Sequence, residues 1–594
     1  MSRTAFAVRL GPLVVLAACL LLPVADLAPL ERAEIYFLDG ARAMIESGDW
    51  LIPRYRGEAF FDKPPLTYWL IAGSFEAFGF TLAAARLVPA LAAIGTLLAC
   101  VWLGSLLLDR GRALSGALVL TTTFAFVSFG RIAMSDMLLA LWTTLALALA
   151  VRLYAGGPSW LGLLLGLTLG LGFLTKGPIA LILPGLGIAL LAWRERARGL
   201  PVSRAWLALS ALIFAGLSLS WFAAVAARLG VGPLAYFFLH ENIERFAGET
   251  YDSGRAPWYY LVTYLAEGAP WSLFLPPALL ALRRVQPGAD AQRPVSRAGP
   301  VFLSQWLLLM LVPLSLSRGK IDYYLLPLYP AASLLIGGYL NAAWSRAERV
   351  WGRFAMLGAA LAFSVAPLLL ARFSRGWLPP RTVRPLIVAV AIALVVLCLG
   401  AAARFTVARA RAVLAVGAAL VVLAGTTVFV PAFRRAQPNQ AIVDDVSRER
   451  RFRPDARLAM CEDPVRVERD LLFWERTTPL LRCDLLNPAS SRFPFLLLVP
   501  AEQRPAFAAV EGLRYVADYR YLPATALTFE GLVRGAGPSK LVLLANFPSP
   551  DLVAEWRVRR DRRRAHWDEL ESLESGDSGA VEGASPVARP PRDP

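Results

Sequence analysis

Through its first 431 residues this chain reads as long apolar runs punctuated by short arginine-bearing segments, a pattern with few solutions in water. Each bilayer crossing needs about 20 mostly apolar residues. Runs of that kind fall near 8–27, 86–108, 113–130, 137–154, 159–175, 178–194, 204–227, 269–283, 300–316, 323–343, 352–371, 384–402 and 411–431. Of the 594 residues 57% are hydrophobic and only 18% charged, where a soluble domain has about 25% charged. The expected fold class is mostly α, a polytopic helical membrane protein with about thirteen transmembrane helices.

The distribution of arginine sets the expected orientation, because cytoplasmic loops collect Lys and Arg. With Arg3 and Arg9 inside, every loop on that side carries arginine: Arg110 and Arg112, Arg152, Arg194 to Arg204, Arg283 to Arg297, Arg346 to Arg353, and Arg404 to Arg411. The opposite loops mix arginine with acids and aromatics, and hold Lys63, Lys176 and Lys320, three of the four lysines in the chain. An odd number of spans puts the C-terminal segment outside. Near the N-terminus Leu16-Ala-Ala-Cys19 has the look of a lipobox, but Leu20-Leu-Leu-Pro-Val follows where a polar tether would be needed. A retained first span is the expectation.

After residue 431 the character changes. Arg457–Cys461, Phe493–Val499 and Lys540–Asn546 read as strands and Val465–Glu475 as a helix, giving a small C-terminal α/β periplasmic domain over 432–547. The tail 548–594, first arginine-rich and then rich in Glu, Ser, Gly and Pro, is expected to be disordered. Cys461 and Cys483 share the oxidising side, and whether they pair is open. No CxxC or zinc-type cluster occurs among the five cysteines, which argues against iron–sulfur and structural zinc chemistry. The net charge of +17 would suggest nucleic acid in a soluble chain; here it is spent on orientation, and no nucleic-acid partner is expected.

The loops on the outer side carry the chemistry. Glu31 and Glu34 stand at the lip of the first span, Lys63 precedes Pro64-Pro65, and Asp136 opens the fourth span. Lys176 lies in Thr-Lys-Gly-Pro at a break between two apolar runs, and Arg245, Arg255, Lys320 and Tyr324 lie in the later loops. Cations beside carboxylates at a bilayer lip suit a lipid phosphate whose tail stays in the membrane. A neighbouring carboxylate can accept a proton from an attacking hydroxyl. Each residue also has a plainer reading: outer lysines as headgroup contacts, Asp136 as a helix cap, His240 as a loop hydrogen-bonding group, Tyr and Trp as interface anchors.

These motifs resemble the GT-C glycosyltransferases that use polyprenyl-phosphate sugars, particularly the bacterial group with the lipid A aminoarabinose transferase and the protein O-mannosyltransferases. The resemblance rests on Ala41-Arg-Ala-Met44, Ser47-Gly-Asp-Trp50, Phe61-Asp-Lys-Pro-Pro65 with Tyr68-Trp69, Ala84-Ala-Arg86 and Gly170-Leu-Gly-Phe-Leu-Thr-Lys-Gly-Pro178. It continues through Phe237-Phe with Arg245-Phe246, Arg255-Ala-Pro257 with Tyr259-Tyr260, Pro270-Trp271, and Ser317-Arg-Gly-Lys320 with Tyr324. It spans about residues 30–345 and implies the following roles. Where the family has an Asp-Glu pair this chain has Ala33-Glu34, so the catalytic acid would pass to Glu34, with Glu31 second; Asp136 matches the other acidic position. Donor-phosphate contacts would be Lys63, Arg245, Arg255, Lys320 and Tyr324, with Lys176 beside them. The family's metal-binding Glu and His correspond to Asp62 and Asn242, with His240 two residues away, so a divalent metal at Asp62 and His240 is left open and no other cofactor is expected.

The implied activity is transfer of a sugar from an undecaprenyl-phosphate donor to lipid A, another glycan or a protein, at the periplasmic face of the bacterial inner membrane. A flippase or transporter of a lipid-linked sugar is the rival, but transporters place charges near the bilayer midplane and the mid-span residues here are almost wholly apolar. A non-catalytic scaffold is the third reading, raised by Ala33.

Overall fold

The computed structural model describes residues 2–22, 32–55, 57–198, 202–248, 255–282, 298–342, 344–373, 383–424, 439–452, 457–460, 481–482, 494–500, 513–521 and 539–545. The chain divides into two units, one taking in Met1–Ala366 and Val390–Arg434, the other Arg435–Glu462 and Leu481–Pro594.

The first unit is helical. It begins with α1 (Arg3–Leu21), α2 (Arg32–Ser47), the hairpin β1 (Arg54–Tyr55) and β2 (Glu58–Ala59), and α3 (Leu66–Phe78). Then come α4 (Leu82–Leu107), α5 (Arg110–Thr121), α6 (Phe124–Phe129), α7 (Asp136–Tyr154), α8 (Leu161–Lys176), α9 (Ile179–Arg194) and α10 (Arg204–Leu229). Short polar side chains start several of these helices: Thr81 caps α4, and Asp109 caps α5 by accepting from the backbone N–H of Gly111 and Arg112. Among the described residues, five helices are long and apolar enough to cross a bilayer: α1, α4, α7, α10 and Gly299–Leu316. Shorter apolar helices occupy Leu161–Lys176, Ile179–Arg194 and Val388–Ala403.

α7 is the most enclosed of the five, 72% buried within the protein, and packs on α4 and α8. α10 is only 28% buried and exposes Leu207, Leu212 and Leu219, an apolar face of the kind that lipid covers. Where helices cross closely the sequence supplies small residues. A Cβ on Gly337, in the helix Tyr329–Leu340, would fall 2.2 Å from the backbone N of Gly116 in α5. The two backbones therefore touch, as in small-residue crossings between membrane helices.

Three expected spans are not single helices. Residues 269–282 form a turn of 3₁₀ helix (Ser272–Phe274) and the six-residue helix Leu275–Leu280; Pro270, Pro276 and Pro277 withhold the N–H groups a longer helix requires. The stretch near 323–343 is 3₁₀ over Asp322–Leu328 and α-helical over Tyr329–Leu340. Residues 113–130 break between α5 and α6, where Thr122 Oγ1 accepts a hydrogen bond from Trp271 Nε1 at 2.9 Å. Tyr68, expected as an interface anchor, is fully buried against Phe37 at 4.9 Å.

The second unit contains the helix Asn439–Phe452 and a sheet of β3 (Arg457–Met460), β4 (Leu481–Arg482), β5 (Phe495–Pro500), β6 (Arg514–Tyr521) and β7 (Ser539–Ala545), in the order β4-β3-β5-β7-β6. β3 runs parallel to β4 and β5, whereas β7 is antiparallel to β5 and β6. Phe495 to Val499 are all buried, so the central strand is covered on both faces. β6 has no apolar run to announce it; it is an edge strand with a bulge at Tyr515/Ala517. It is tied to the helix by Tyr519 OH donating to Asp445 at 2.8 Å and by an Arg514–Glu449 ion pair. The helix expected at Val465–Glu475, Cys461, Cys483 and the tail 548–594 lie outside the described residues.

Candidate active site

Lys63 reaches its position through local rigidity. The β1–β2 hairpin returns the chain to Phe60, and Pro64-Pro65 follow the lysine, with Pro65 at the N-cap of α3. Lys63 Nζ donates to the Asp62 carbonyl at 2.7 Å and faces Glu241 Oε2 at 3.5 Å. The same Glu241 oxygen accepts from Arg245 Nη1 at 2.8 Å. Tyr236 donates to Asp62 Oδ1 at 3.2 Å and stacks on His240. Tyr236, His240 and Glu241 lie on Tyr236–Glu244, a π-helix; such segments recur at functional sites. Burial pushes the Lys63 ammonium below the ordinary lysine range, against the pull of Glu241, and pushes the Asp62 carboxyl up, with Lys63 opposing.

The second cluster forms where two helix ends meet. α8 stops at Lys176 because Gly177 takes φ +70° and Pro178 begins α9. Gly177 is required twice over, since a Cβ there would lie 2.5 Å from Phe237 Cζ, at the buried end of the π-helix. Lys176 pairs with Asp136, the first residue of α7, and its ammonium sits 4.5 Å from the centre of the Tyr324 ring. Asp136 is not the cap of α7: Ser135 holds that position, and the Asp136 carboxylate turns to Lys176.

The third cluster surrounds Arg255. Its guanidinium donates to the Lys320 carbonyl at 2.8 Å, lies 3.4 Å from Asp322 Oδ1 and covers the Tyr259 ring. The Lys320 ammonium is buried and donates to the Ser317 carbonyl. Tyr260 OH accepts from the backbone N–H of Ile321. Burial pushes the Asp322 carboxyl up and the Glu267 carboxyl up to about 7, with Arg255 opposing in both cases.

The three clusters are continuous. Gly177, next to Lys176, packs on Phe237 of the π-helix that carries Glu241, and Tyr324, beneath the Lys176 ammonium, shares the 3₁₀ segment Asp322–Leu328 with Asp322, the partner of Arg255. Six of the expected residues, Lys63, Asp136, Lys176, Arg245, Arg255 and Tyr324, thus share one polar belt, with Lys320 joining it through Arg255.

Glu34 is elsewhere. It is fully buried, with Oε1 and Oε2 accepting from Arg86 Nε and Nη2 at 2.8 and 2.9 Å and Oε1 also accepting from the Ala133 N–H at 2.9 Å. α2 and α4 thereby hold the loop that leads into Asp136. Glu34 is thus held by three such bonds at the position where the resemblance implies a proton acceptor. Glu31 lies outside the described residues.

The metal candidates do not form a ligand set. Asp62 is engaged by Tyr236, His240 Nδ1 lies 2.8 Å from Glu244 Oε2, and Asn242 donates to the Phe237 carbonyl. Among the described residues no three His, Cys, Asp or Glu side chains converge on one point.

Sequence reasoning gave no role to Glu241, Tyr236, Asp322 or Arg86. Glu241 carried a signal in standing four residues before Arg245, and Arg86 in closing the motif Ala84-Ala-Arg86.

The family model described as dolichyl-phosphate-mannose-protein mannosyltransferase matches residues 62–221. The chain is 36% identical over 331 residues to the undecaprenyl phosphate-alpha-4-amino-4-deoxy-L-arabinose arabinosyl transferase of Pseudomonas aeruginosa (strain UCBPP-PA14), covering 52% of this chain and 56% of that one. It thus spans little more than half the length of that relative. It is 33% identical to an uncharacterized protein of Aquifex aeolicus, covering 53% of this chain and 68% of the relative. In fold it is similar to the crystal structure of ArnT from Cupriavidus metallidurans bound to undecaprenyl phosphate, with a TM-score of 0.70 and 20% identity over 92% of this chain and 99% of that one.

Proposed function

The chain belongs to the GT-C family of membrane glycosyltransferases that use polyprenyl-phosphate sugars, and we propose that it moves a sugar from undecaprenyl phosphate to an acceptor at the periplasmic face. The observation that carries this proposal is the belt of Lys63, Lys176, Arg245 and Arg255 around Asp136 and Tyr324. The donor named for the Pseudomonas aeruginosa relative, an aminoarabinose on undecaprenyl phosphate, is the first to test here. Acceptors of three kinds fit: lipid A, another glycan, or a protein.

In this mechanism the acceptor oxygen attacks the anomeric carbon as the bond from that carbon to the phosphate oxygen breaks, with inversion. Undecaprenyl phosphate leaves, and the cations stabilise the charge that grows on it. Asp136 takes the proton of an acceptor hydroxyl; an ionised phosphate acceptor would need no base. Glu34 acts at a distance, by holding the 130–135 loop through Ala133.

A transporter of the lipid-linked sugar is less well supported, because the charges gather at helix ends. Asp136 opens α7, Lys176 closes α8, and Lys63 precedes α3.

The direct test is to incubate the purified protein with radiolabelled undecaprenyl-phosphate sugars and membrane extract. Label is expected in a lipid, glycan or protein fraction; label that only crosses a vesicle bilayer, still on its donor, would favour the transporter. Lys63→Ala is expected to weaken binding of undecaprenyl phosphate while the protein remains folded, checked by titration and thermal unfolding; unchanged affinity would remove Lys63 from the site. The proposed orientation puts the C-terminal region in the periplasm. A reporter fused after residue 440 is expected to be active there, and activity only in the cytoplasm would reverse the topology.

A further inference from the structure

Each cation of the belt already has a partner, and one of those partners stands out. A single oxygen of Glu241 serves both Arg245, at 2.8 Å, and Lys63, at 3.5 Å, two residues from segments far apart in the chain. The carboxylate is 9% exposed, so little water competes for it. Two cations converging on one anionic oxygen make the arrangement that a phosphate oxygen would otherwise occupy, and guanidinium groups bind carboxylate and phosphate with the same hydrogen-bonding fork.

We infer that Glu241 is the internal occupant of the donor-phosphate subsite: it holds Lys63 and Arg245 in place between turnovers and is displaced when a lipid phosphate arrives. This rests on the proposal above that those two cations bind the donor.

The two contacts differ in a way that suits displacement. Lys63 keeps its bond to the Asp62 carbonyl and touches Glu241 only at 3.5 Å, so it can turn to an incoming phosphate without losing its closest partner. Glu241 lies within the π-helix, whose ends are held by different contacts. Phe237 is buried against Gly177, and at the other end the Phe246 carbonyl accepts from the Arg318 N–H just before Gly248, whose φ is +87°. Between these anchors Leu239 and Ile243 are exposed, and no described residue covers that face. A phosphate next to an unmoved Glu241 would set two anions side by side, a juxtaposition that strongly disfavours binding. Glu241 therefore lowers donor affinity and, by returning to the cations after transfer, helps expel the undecaprenyl phosphate left as product.

The sign of one measurement separates this from a structural role. The full chain, purified in nanodiscs, is titrated with undecaprenyl phosphate and compared with Glu241→Gln, which keeps shape and removes charge. Displacement predicts tighter binding in Glu241→Gln, by about tenfold, together with a lower donor KM and stronger product inhibition by undecaprenyl phosphate. A carboxylate that merely positions the cations predicts the opposite, and weaker or unchanged binding in Glu241→Gln overturns the inference. Glu241→Asp retains the charge and is expected to bind as the unaltered protein does; tight binding there too would also overturn it. Lys63→Ala and Arg245→Ala test the premise. If both bind undecaprenyl phosphate normally, the assignment of the subsite fails; if both lose it while Glu241→Gln gains nothing, only the displacement fails.

Discussion

Glu34→Gln is expected to destabilise the protein rather than yield a folded, slow enzyme. Glu34 is wholly buried, and both its oxygens are bonded by Arg86, itself only 1% exposed. Removing one member of a buried ion pair leaves the other charge uncompensated, at a cost of about 3–5 kcal/mol. That is a large share of the roughly 5–15 kcal/mol that separates most folded domains from their unfolded state. Gln offers one acceptor where two are used, and its amide would face the guanidinium. The Ala133 N–H would compete for the oxygen that remains. The expected result is a marked fall in the unfolding temperature of the detergent-purified protein, with activity lost in proportion to folded material. Glu34→Gln combined with Arg86→Met should recover part of the loss, because replacing both partners spares the buried charge. A Glu34→Gln protein that melts normally yet turns over about 10²–10⁴ times more slowly would restore this residue as the base.

Asp136→Asn should produce the larger kinetic effect. If Asp136 accepts the acceptor's proton, turnover falls by about 10²–10⁴. Donor affinity should change little, because Lys63, Arg245 and Arg255 are untouched. Asn retains an oxygen for Lys176, so the junction of α7 and α8 keeps a hydrogen bond though not its ion pair. Thermal unfolding measured alongside separates lost chemistry from lost packing, and Lys176→Met on the Asn background removes the stranded ammonium. Normal turnover in Asp136→Asn would mean that the acceptor arrives already ionised, and a phosphate group would then be the better candidate.

Much of the helical architecture was legible because desolvation is a property of composition over a window. α4, α7, α10 and Gly299–Leu316 begin and end within a few residues of the apolar runs that announced them. The break at Lys176 was legible too, since Gly-Pro is a local stop. What misled was length read without backbone chemistry: near 269–283 the apolar content satisfies a bilayer, but the prolines do not permit one helix. β6 escaped notice for the opposite reason, as an edge strand can be polar and needs only neighbours to pair with.

By itself the sequence determined that this chain is built of apolar helices suited to a membrane, where most of the long ones lie, and which of its loops carry lysine and acid together. The physical reason is that burying apolar surface and terminating a helix are decided by residues close together along the chain. Which charge answers which was decided only by the tertiary structure. Glu34 meets Arg86 across 52 positions, Asp136 meets Lys176 across 40, and Lys63 meets Glu241 across 178. A carboxylate becomes a strut, a base or a stand-in for phosphate according to its partners and its share of water, and neither is set by its place in the chain.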